Sequence, residues 1–164
     1  MDFQNYLDSH PLRRAFIANL FDRAANFIST QGELLLQDED LSFPSRASSA
    51  VLYVGEHESA SAADIASALE LPHQLATQRV QLLLDLGLFE RVADTQDGRR
   101  KILKLTAKGV SEYHRLTKVL DEASQALAML FDEIECDLLS KVERLVAALR
   151  DRSLMERVRS IRSP

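Results

Sequence analysis

Residues 72–109 read PHQLATQRVQLLLDLGLFERVADTQDGRRKILKLTAKG, and the hydrophobic period of this stretch changes near its middle. From Pro72 to Gly87 the apolar side chains are spaced as in an amphipathic helix, with a proline suited to its first turn and a glycine suited to its end. In residues 88–92 and 101–105, apolar and polar side chains instead alternate, which is typical of strands. An Asp-Gly pair, a strong turn signal, separates the two segments. The stretch therefore predicts a helix followed at once by a β-hairpin.

A second, shorter helix is predicted directly before this stretch. Ser61 and Asp64 have the spacing of a capping box, with Asp in place of the preferred Glu, and they open a segment that carries Ile65 and Leu69. Only a short turn separates this segment from the helix that starts near Pro72. Two helices so closely spaced predict a helix-turn-helix, and the hairpin that follows extends it to a winged helix.

Two more helices are predicted on the amino-terminal side. Apolar stripes indicate a first helix over residues 12–30, which is expected to end before Gly32. A second helix is expected over residues 44–54, with Gly55 as its stop signal.

Long helices are predicted after the hairpin. Thr106 suits the N-cap of the first, and Ser153 is expected to cap a short terminal helix. Between them, apolar residues recur at steps of three and four, a coiled-coil-like spacing. These residues are Leu116, Leu120, Ala123, Leu127, Leu130 and Ile134, then Leu138, Val142, Leu145 and Leu149. Such seams either belong to the core or contact a partner chain. Their spacing favours dimerisation, although packing within one chain accounts for part of the spacing.

The composition excludes several classes of protein. A length of 164 residues with 46% hydrophobic side chains suits one domain, or one domain with an interaction extension. Charged residues make up 27%, which together with the abundant Leu, Val and Ala argues against intrinsic disorder. The single cysteine excludes an intrachain disulfide framework, so we expect a reducing, cytoplasmic compartment. Neither a signal peptide nor a membrane-spanning apolar run is recognised.

No catalytic residue, metal site or cofactor is expected. We interpret the four histidines as structural because they lack metal-ligand spacing; they are His10, His57, His73 and His114. Cys136 is interpreted as a small apolar filler rather than a redox sensor. The sequence contains neither a glycine-rich phosphate loop nor a nucleophile signature.

Charge is distributed unevenly along the chain. The net charge of -5 alone would argue against a nucleic-acid-binding protein. Residues 88–109, however, carry six basic and three acidic side chains, a net charge of +3, which leaves -8 for the remainder. The basic side chains are Arg91, Arg99, Arg100, Lys101, Lys104 and Lys108. Positive charge is concentrated where a wing would contact phosphates, although a solvated basic hairpin explains this charge equally well.

The helix from Pro72 separates into two faces at about 100° per residue. Its polar arc comprises His73, Gln74, Thr77, Gln78, Gln81 and Asp85; its apolar arc comprises Leu75, Ala76, Val80, Leu82, Leu83 and Leu86. Solvated faces usually carry Lys and Glu, whereas Gln, Thr and His hydrogen-bond base edges in a major groove. We therefore predict DNA contacts from His73, Gln74, Thr77, Gln78 and Gln81. Arg79 falls within the apolar arc, where it would either extend to a phosphate or pair with a carboxylate.

The order of these elements resembles the MarR family, the multiple-antibiotic-resistance type of bacterial winged-helix regulator. The resemblance is carried by Asp97, Arg99 and the pair Leu105-Thr106 within DTQDGRRKILKLTAKG. They match the family's wing signature of Asp, any residue, Arg, five residues, Leu, Thr, then Lys and Gly. LGLFER at 86–91 is similar to the family's passage from recognition helix into wing. The specific part covers roughly residues 48–109, and the flanking helices match in layout.

The resemblance implies an obligate homodimer, with residues 1–40 and 110–164 as its dimerisation region and residues 41–109 as its DNA-binding domain. Each recognition helix would enter a major groove and each wing a minor groove of a palindromic operator. Arg99 would be the wing-tip residue, held in place by Asp97. Two-fold symmetry implies half-sites roughly 10 base pairs apart. The family's small-molecule pocket lies between the two regions, and its residues vary too much to be assigned.

Together these features predict a mainly α, winged helix-turn-helix regulator that binds double-stranded DNA as a dimeric repressor, released by a ligand, by oxidation or not at all. Affinity would come from the wing, through Arg99, Arg100, Lys101 and Lys104. The alternative is a winged helix used for protein–protein interaction, or an accessory module with weak DNA binding. It is motivated by the acidic remainder and by Gln78, which stands where the family frequently has a basic residue.

Overall fold

The computed structural model describes residues 6–57, 60–93 and 101–163, and it divides into two compact units, Met1–Val119 and Leu120–Pro164. The first unit contains a 3-10 turn Arg13–Phe16, helix α1 Ile17–Asp38, a 3-10 turn Ser45–Ala47, α2 Ser48–Glu56, α3 Ala62–Ala68, α4 His73–Asp85, strands β1 Phe89–Ala93 and β2 Lys101–Leu105, and the start of α5 Ala107–Glu133. The second unit contains the remainder of α5, then α6 Leu138–Asp151 and α7 Leu154–Arg162. The mainly α fold with a two-stranded hairpin is confirmed.

Helix α1 does not end before Gly32, so that prediction was wrong. The helix continues until Asp40 adopts a left-handed conformation, with φ at 51°. There the N–H of Leu41 donates to the carbonyl oxygen of Leu36 at 2.9 Å, and Leu36 is buried. A glycine inside a helix costs only about 1 kcal/mol, so the burial of Leu36 outweighs it.

The expected limits of α2 were also wrong. A 3-10 turn precedes the helix, and α2 passes through Gly55 to end at Glu56. Gly55 does not end the helix. Its lack of a side chain instead leaves room for the packing of α5 against α2. A Cβ at this position would overlap the ring of Tyr113 on α5.

The helix-turn-helix is confirmed, together with its capping box. The hydroxyl of Ser61 accepts from the N–H of Asp64 at 3.2 Å, and the N–H of Ser61 donates to the Asp64 carboxylate at 2.8 Å. The turn between the helices reverses at Glu70, with φ at 49°. Helix α4 then starts after Pro72, which occupies its N-cap, and Gly87 follows its end with φ at 69°.

The two predicted strands pair antiparallel, with Phe89 opposite Leu105 and Ala93 opposite Lys101. Strand β1 is shifted by one residue from the expected range. The N–H of Leu103 also donates to the carbonyl oxygen of Ala60 at 2.7 Å, which joins the hairpin to the segment before α3. The turn expected between the strands lies outside the described residues.

The first turn of α5 is fastened to the end of α4. Thr106 caps α5, as predicted: its hydroxyl oxygen accepts from the N–H of Gly109 at 3.0 Å and donates to the carbonyl oxygen of Gly87 at 2.7 Å. A Cβ on Gly109 would overlap the carbonyl oxygen of Leu88. The absence of a side chain at residue 109 therefore permits the α5 backbone to lie close to the backbone of Leu88.

A buried carboxylate joins α5 to the loop before α2. Glu112 is only 3% exposed, and its carboxylate accepts from the N–H of Ser42 at 3.0 Å and from the Ser42 hydroxyl at 2.8 Å. The ammonium of Lys108 lies 3.8 Å from the same carboxylate. A buried acceptor with donors on the facing loop holds that loop against the helix.

Helix α7 of the second unit begins with a capping box. Ser153 caps α7, as predicted, and its N–H and hydroxyl both donate to the Glu156 carboxylate. These hydrogen bonds lower the pKa of Glu156. A lowered pKa means that this stabilisation is present above the carboxylate's ordinary pKa and is lost as pH falls through the lowered value.

Buried apolar residues and exposed ones occupy different parts of the chain. Within the described residues, the buried apolar side chains lie between Leu36 and Val119. The predicted seam on α5 follows this division: Leu116 is buried, whereas Leu127 and Ile134 are exposed. The carboxyl-terminal part of the seam is therefore surface in the single chain.

Replacing Gly109 by alanine should lower the free energy of unfolding by about 2–4 kcal/mol, because the new methyl group collides with backbone rather than with a movable side chain. Gly32→Ala is the matched control. Its Cβ would lie 3.5 Å from the nearest atom, an ordinary contact, so it should raise the free energy of unfolding by about 0.5–1 kcal/mol. Urea denaturation at one protein concentration measures both, and an undiminished stability of Gly109→Ala would contradict the packing described.

Candidate nucleic-acid interface

Helix α4 presents a continuous polar face to solvent. The exposed side chains are His73, Gln74, Thr77, Gln78, Gln81 and Asp85, the same set as the predicted polar arc. On the opposite side, Ala76, Val80 and Leu83 are buried, and Leu75, Leu82 and Leu86 are half-buried. The amphipathic division of this helix is as predicted from its sequence.

Three of the exposed polar side chains, those of Thr77, Gln81 and Asp85, already make hydrogen bonds within the protein. The Gln81 amide donates to the Asp85 carboxylate at 2.7 Å, and its oxygen accepts from the guanidinium of Arg91 at 3.4 Å. The hydroxyl of Thr77 donates to the carbonyl oxygen of His73 at 2.9 Å. These bonds hold Gln81 and Thr77 in defined orientations.

Gln74 and Gln78 differ from these side chains. Neither makes a side-chain hydrogen bond to any residue within 6–57, 60–93 and 101–163. Each offers a donor and an acceptor, the pair that adenine matches in a major groove. Their amides are therefore the free hydrogen-bonding groups on this face.

The amino terminus of α4 also retains donors. Pro72 at the N-cap has no side chain that could accept from the first turn, and its carbonyl accepts from the N–H groups of Leu75 and Ala76. Uncapped N–H groups at the start of a helix favour an anion such as a phosphate.

The wing contributes positive charge next to α4. Lys101 and Lys104 on β2 are exposed, and Lys104 pairs across the hairpin with Glu90. The other residues predicted for the wing, Asp97, Arg99 and Arg100, lie outside the described residues.

Two of the six cations counted from the sequence have structural partners. The ammonium of Lys108 donates to the carbonyl oxygen of Leu86 at 3.0 Å and lies beside Glu112. Arg91 is bonded to Gln81 and joins the wing to α4. Sequence reasoning missed both roles, because a cation's acceptor on another element is invisible in a charge count.

Arg79 is half-buried on the inner side of α4. Its Nε atom is buried and has no hydrogen-bond partner, and the part of the chain that the structure describes provides no carboxylate for it. Of the two alternatives left open for Arg79, the carboxylate partner is therefore not found within these residues.

Among the residues that the structure describes, the remaining histidine and acidic side chains do not form a metal-binding cluster. The rings of Tyr53 and His57 stack with their centroids 4.1 Å apart, and the His57 Nδ1 lies 2.7 Å from the carbonyl oxygen of Tyr53. Across the described residues, no three His, Cys, Asp or Glu side chains are arranged to hold a metal ion. None of the helices described has the length and apolarity that crossing a membrane requires.

One family model and several solved structures match these elements. The model of the MarR family matches residues 40–100. The chain is also similar to a MepR–DNA complex from S. aureus, with 22% identity and a TM-score of 0.66 over 81% of this chain and 97% of that chain. A second solved structure, S. aureus MepR in a DNA-binding conformation, shares 23% identity and has a TM-score of 0.58 over 81% of this chain and 98% of that one.

A third solved structure is MepR described as a transcription regulator of the Staphylococcus aureus multidrug efflux pump MepA. It shares 22% identity with the chain and has a TM-score of 0.53, over 80% of this chain and 97% of that one. No match was found among curated proteins. Likeness at such low identity establishes the fold, and the family model covers the helix-turn-helix and strand β1. The resemblance to the MarR family predicted from the wing signature is confirmed over residues 40–100, and the winged helix-turn-helix fold is confirmed by the solved structures.

Proposed function

We propose that the protein is a DNA-binding transcriptional regulator that acts as a homodimeric repressor on a palindromic operator. The observation that carries this proposal is the exposed face of α4, where Gln74 and Gln78 have no partner among the described residues and the amino terminus lacks a side-chain cap. A polar face without Lys or Glu, beside a basic hairpin, suits base edges better than solvent. The solved MepR–DNA complex, which has the same fold, supports this use of the domain.

The proposed dimer is supported by the apolar surface of the terminal helices. In the single chain, many large apolar side chains outside residues 36–119 are exposed. They include Phe16, Ile17, Leu20, Phe27 and Ile28 on the amino-terminal side and Leu127, Leu130, Ile134, Leu145 and Leu149 on the carboxyl-terminal side. Exposed large apolar side chains in such number mark an interface. In a two-fold dimer each copy offers the same surface to the other, so a single kind of contact covers these side chains in both copies.

Affinity and selectivity come from different residues in this proposal. Arg99, Arg100, Lys101 and Lys104 supply phosphate and minor-groove contacts, which are strong but independent of sequence. His73, Gln74, Thr77 and Gln78 read bases in the major groove. Gln81 holds Arg91 and Asp85, so we assign it to positioning first and to base contact second.

Selection of bound fragments from the source genome tests the proposal. The selected fragments should share a palindrome, with half-sites roughly 10 base pairs apart. They should also bind more tightly than random duplex at both low and high salt. An absence of salt-dependent binding at low salt would refute the regulator and favour the protein–protein interaction module.

Arg99→Ala should weaken binding to the selected fragment and to random duplex by a similar factor, since a wing contact in the minor groove carries little sequence information. The slope of log affinity against log salt should become smaller by about 1 per lost phosphate contact. Titrations by fluorescence anisotropy at several salt concentrations measure both quantities. Arg13→Ala removes the same charge outside the winged helix and should leave both unchanged; equal behaviour of the two variants would disprove the wing assignment.

Gln78→Ala should change base preference more than salt dependence. Loss of a bidentate contact should reduce discrimination at one base pair of each half-site by about 1–3 kcal/mol. Competition with operators substituted at single positions locates that base pair. Gln37→Ala, on the exposed surface of α1, is the control, and equal losses on operator and random duplex would remove Gln78 from the reading face.

A further inference from the structure

The start of α5 carries three charged side chains on one face. Lys108, Glu112 and Arg115 follow one another at steps of four and three residues, so they lie along the same side of the helix. Lys108 is bonded to the end of α4, whereas Glu112 and Arg115 are bonded to the loop after α1. This face of α5 therefore connects the end of α4 to the end of α1.

Lys108 occupies a helix end that has free acceptors. Its ammonium donates to the carbonyl oxygen of Leu86 at 3.0 Å, and Leu86 is the C-cap of α4. The last carbonyl groups of a helix have no partner within the helix, and a cation at this end also suits the helix dipole. The side chain of Lys108 is 52% exposed, so burial alone does not hold it in this orientation.

This bond is a second attachment between α4 and α5. The first is the Thr106 hydroxyl, which donates to the carbonyl oxygen of Gly87 at 2.7 Å, one residue after Leu86. A single hydrogen bond fixes a distance but leaves a range of angles open. A second bond, from Lys108 to the preceding carbonyl oxygen, narrows that range and so restricts the direction of α4.

The loop after α1 is bonded to the same face of α5. Arg115 donates to the carbonyl oxygens of Glu39 at 2.8 Å and of Asp40 at 3.4 Å, where the chain reverses with a φ of 51° at Asp40. Two residues further on, the N–H and the hydroxyl of Ser42 both donate to the Glu112 carboxylate, at 3.0 and 2.8 Å. The segment 39–42 is therefore held against α5 at both of its ends.

Glu112 belongs to both connections. Its Oε1 atom accepts from the Ser42 hydroxyl and also lies 3.8 Å from the Lys108 ammonium. Within the ranges 6–57, 60–93 and 101–163, Lys108 and Ser42 share no hydrogen bond with each other, so Glu112 is the group that links them. A buried carboxylate adds little net stability, because the loss of hydration offsets the attraction of its partners. The positions in which Glu112 holds its donors explain its presence better than a contribution to folding does.

We propose that Glu112 is a positioning residue for the reading of DNA by α4. It orients Lys108 at the carboxyl end of α4 and ties that end, through Ser42, to the loop after α1. Gln74 lies about 18 Å from Leu86 along the helix, so a tilt of about 10° at this end would move it by about 3 Å. This inference rests on the proposed function and adds a residue, remote from the reading face, that controls base selection.

Base contacts and phosphate contacts respond differently to such a tilt. A hydrogen bond to a base edge weakens steeply once its distance and angle leave a narrow range. The attraction between a cation and a phosphate falls slowly with distance and is independent of sequence. Loss of the Glu112 charge should therefore weaken binding to the selected fragment more than binding to random duplex. A residue that only stabilises the fold would not separate the two, because unfolding abolishes both alike.

Glu112→Gln in the full-length protein tests the positioning. Glutamine has a similar size and still accepts from Ser42, but it lacks the charge that orients Lys108. The ratio of the affinity for the selected fragment to that for random duplex should fall about fivefold or more, with an unchanged salt slope on random duplex. Lys108→Met, which keeps the apolar stem and removes the donor, should lower the same ratio. Lys141→Met removes an equal charge from an exposed site on α6 and should leave the ratio unchanged.

Combined variants distinguish one linked group from separate contacts. Lys108→Met and Ser42→Ala together should lower the ratio by less than the product of their separate effects, by about threefold or more, since either change already releases Glu112. When Glu112→Gln is present, adding Lys108→Met should change the ratio by less than about twofold. Effects that multiply in full in both comparisons would show independent contacts and overturn the proposed role of Glu112.

Circular dichroism and urea denaturation identify the folded variants. Lys108→Met changes a half-exposed side chain, so it keeps the inference testable if Glu112→Gln does not fold. An unchanged ratio in the folded variants, or an equal fall in Lys141→Met, would refute the positioning and leave the proposed regulator intact. If the unmodified protein bound every duplex equally well, the proposed function itself would be refuted, and this inference with it.

Discussion

The contact between the first turn of α5 and the backbone at Gly87–Leu88 determines the geometry of the winged helix. Because Gly109 has no side chain, the α5 backbone reaches the carbonyl oxygen of Leu88, and Thr106 closes the junction with hydrogen bonds on both sides. The end of α4, the start of β1 and the start of α5 are joined at this point. The position of the recognition helix relative to the hairpin therefore depends on a residue without a side chain.

The wing signature consequently combines two tasks. Its carboxyl-terminal half is structural: Thr106 and Gly109 close the junction, and Lys108 donates to the carbonyl oxygen at the end of α4. Its amino-terminal half, with Asp97 and Arg99, is the part that the proposed function assigns to DNA. One short signature thus combines residues of the wing with residues of the junction that holds the wing.

The sequence predicted features whose causes lie within a few residues. The Ser61 capping box and the two faces of α4 depend on spacings of three and four residues, and both are present. The end of α1 was mispredicted because it depends on distant groups: Leu36 is buried by the fold, and the guanidinium of Arg115 donates to the carbonyl oxygen of Glu39, 76 residues away in sequence. Long-range acceptors of this kind leave no local pattern.

The separation of charge and apolar surface makes dimerisation a requirement for DNA affinity in the proposed mechanism. Of the six wing-segment cations, Arg91 and Lys108 have acceptors inside the protein, and the proposed function assigns the other four to DNA in each copy. Four contacts opposed by a net charge of -8 elsewhere in the chain would bind weakly. Two copies would supply about eight contacts, which corresponds to a salt slope of about -7. In the proposed mechanism, the exposed apolar faces of the terminal helices bring two wings together, and the free amides of α4 choose where the wings bind.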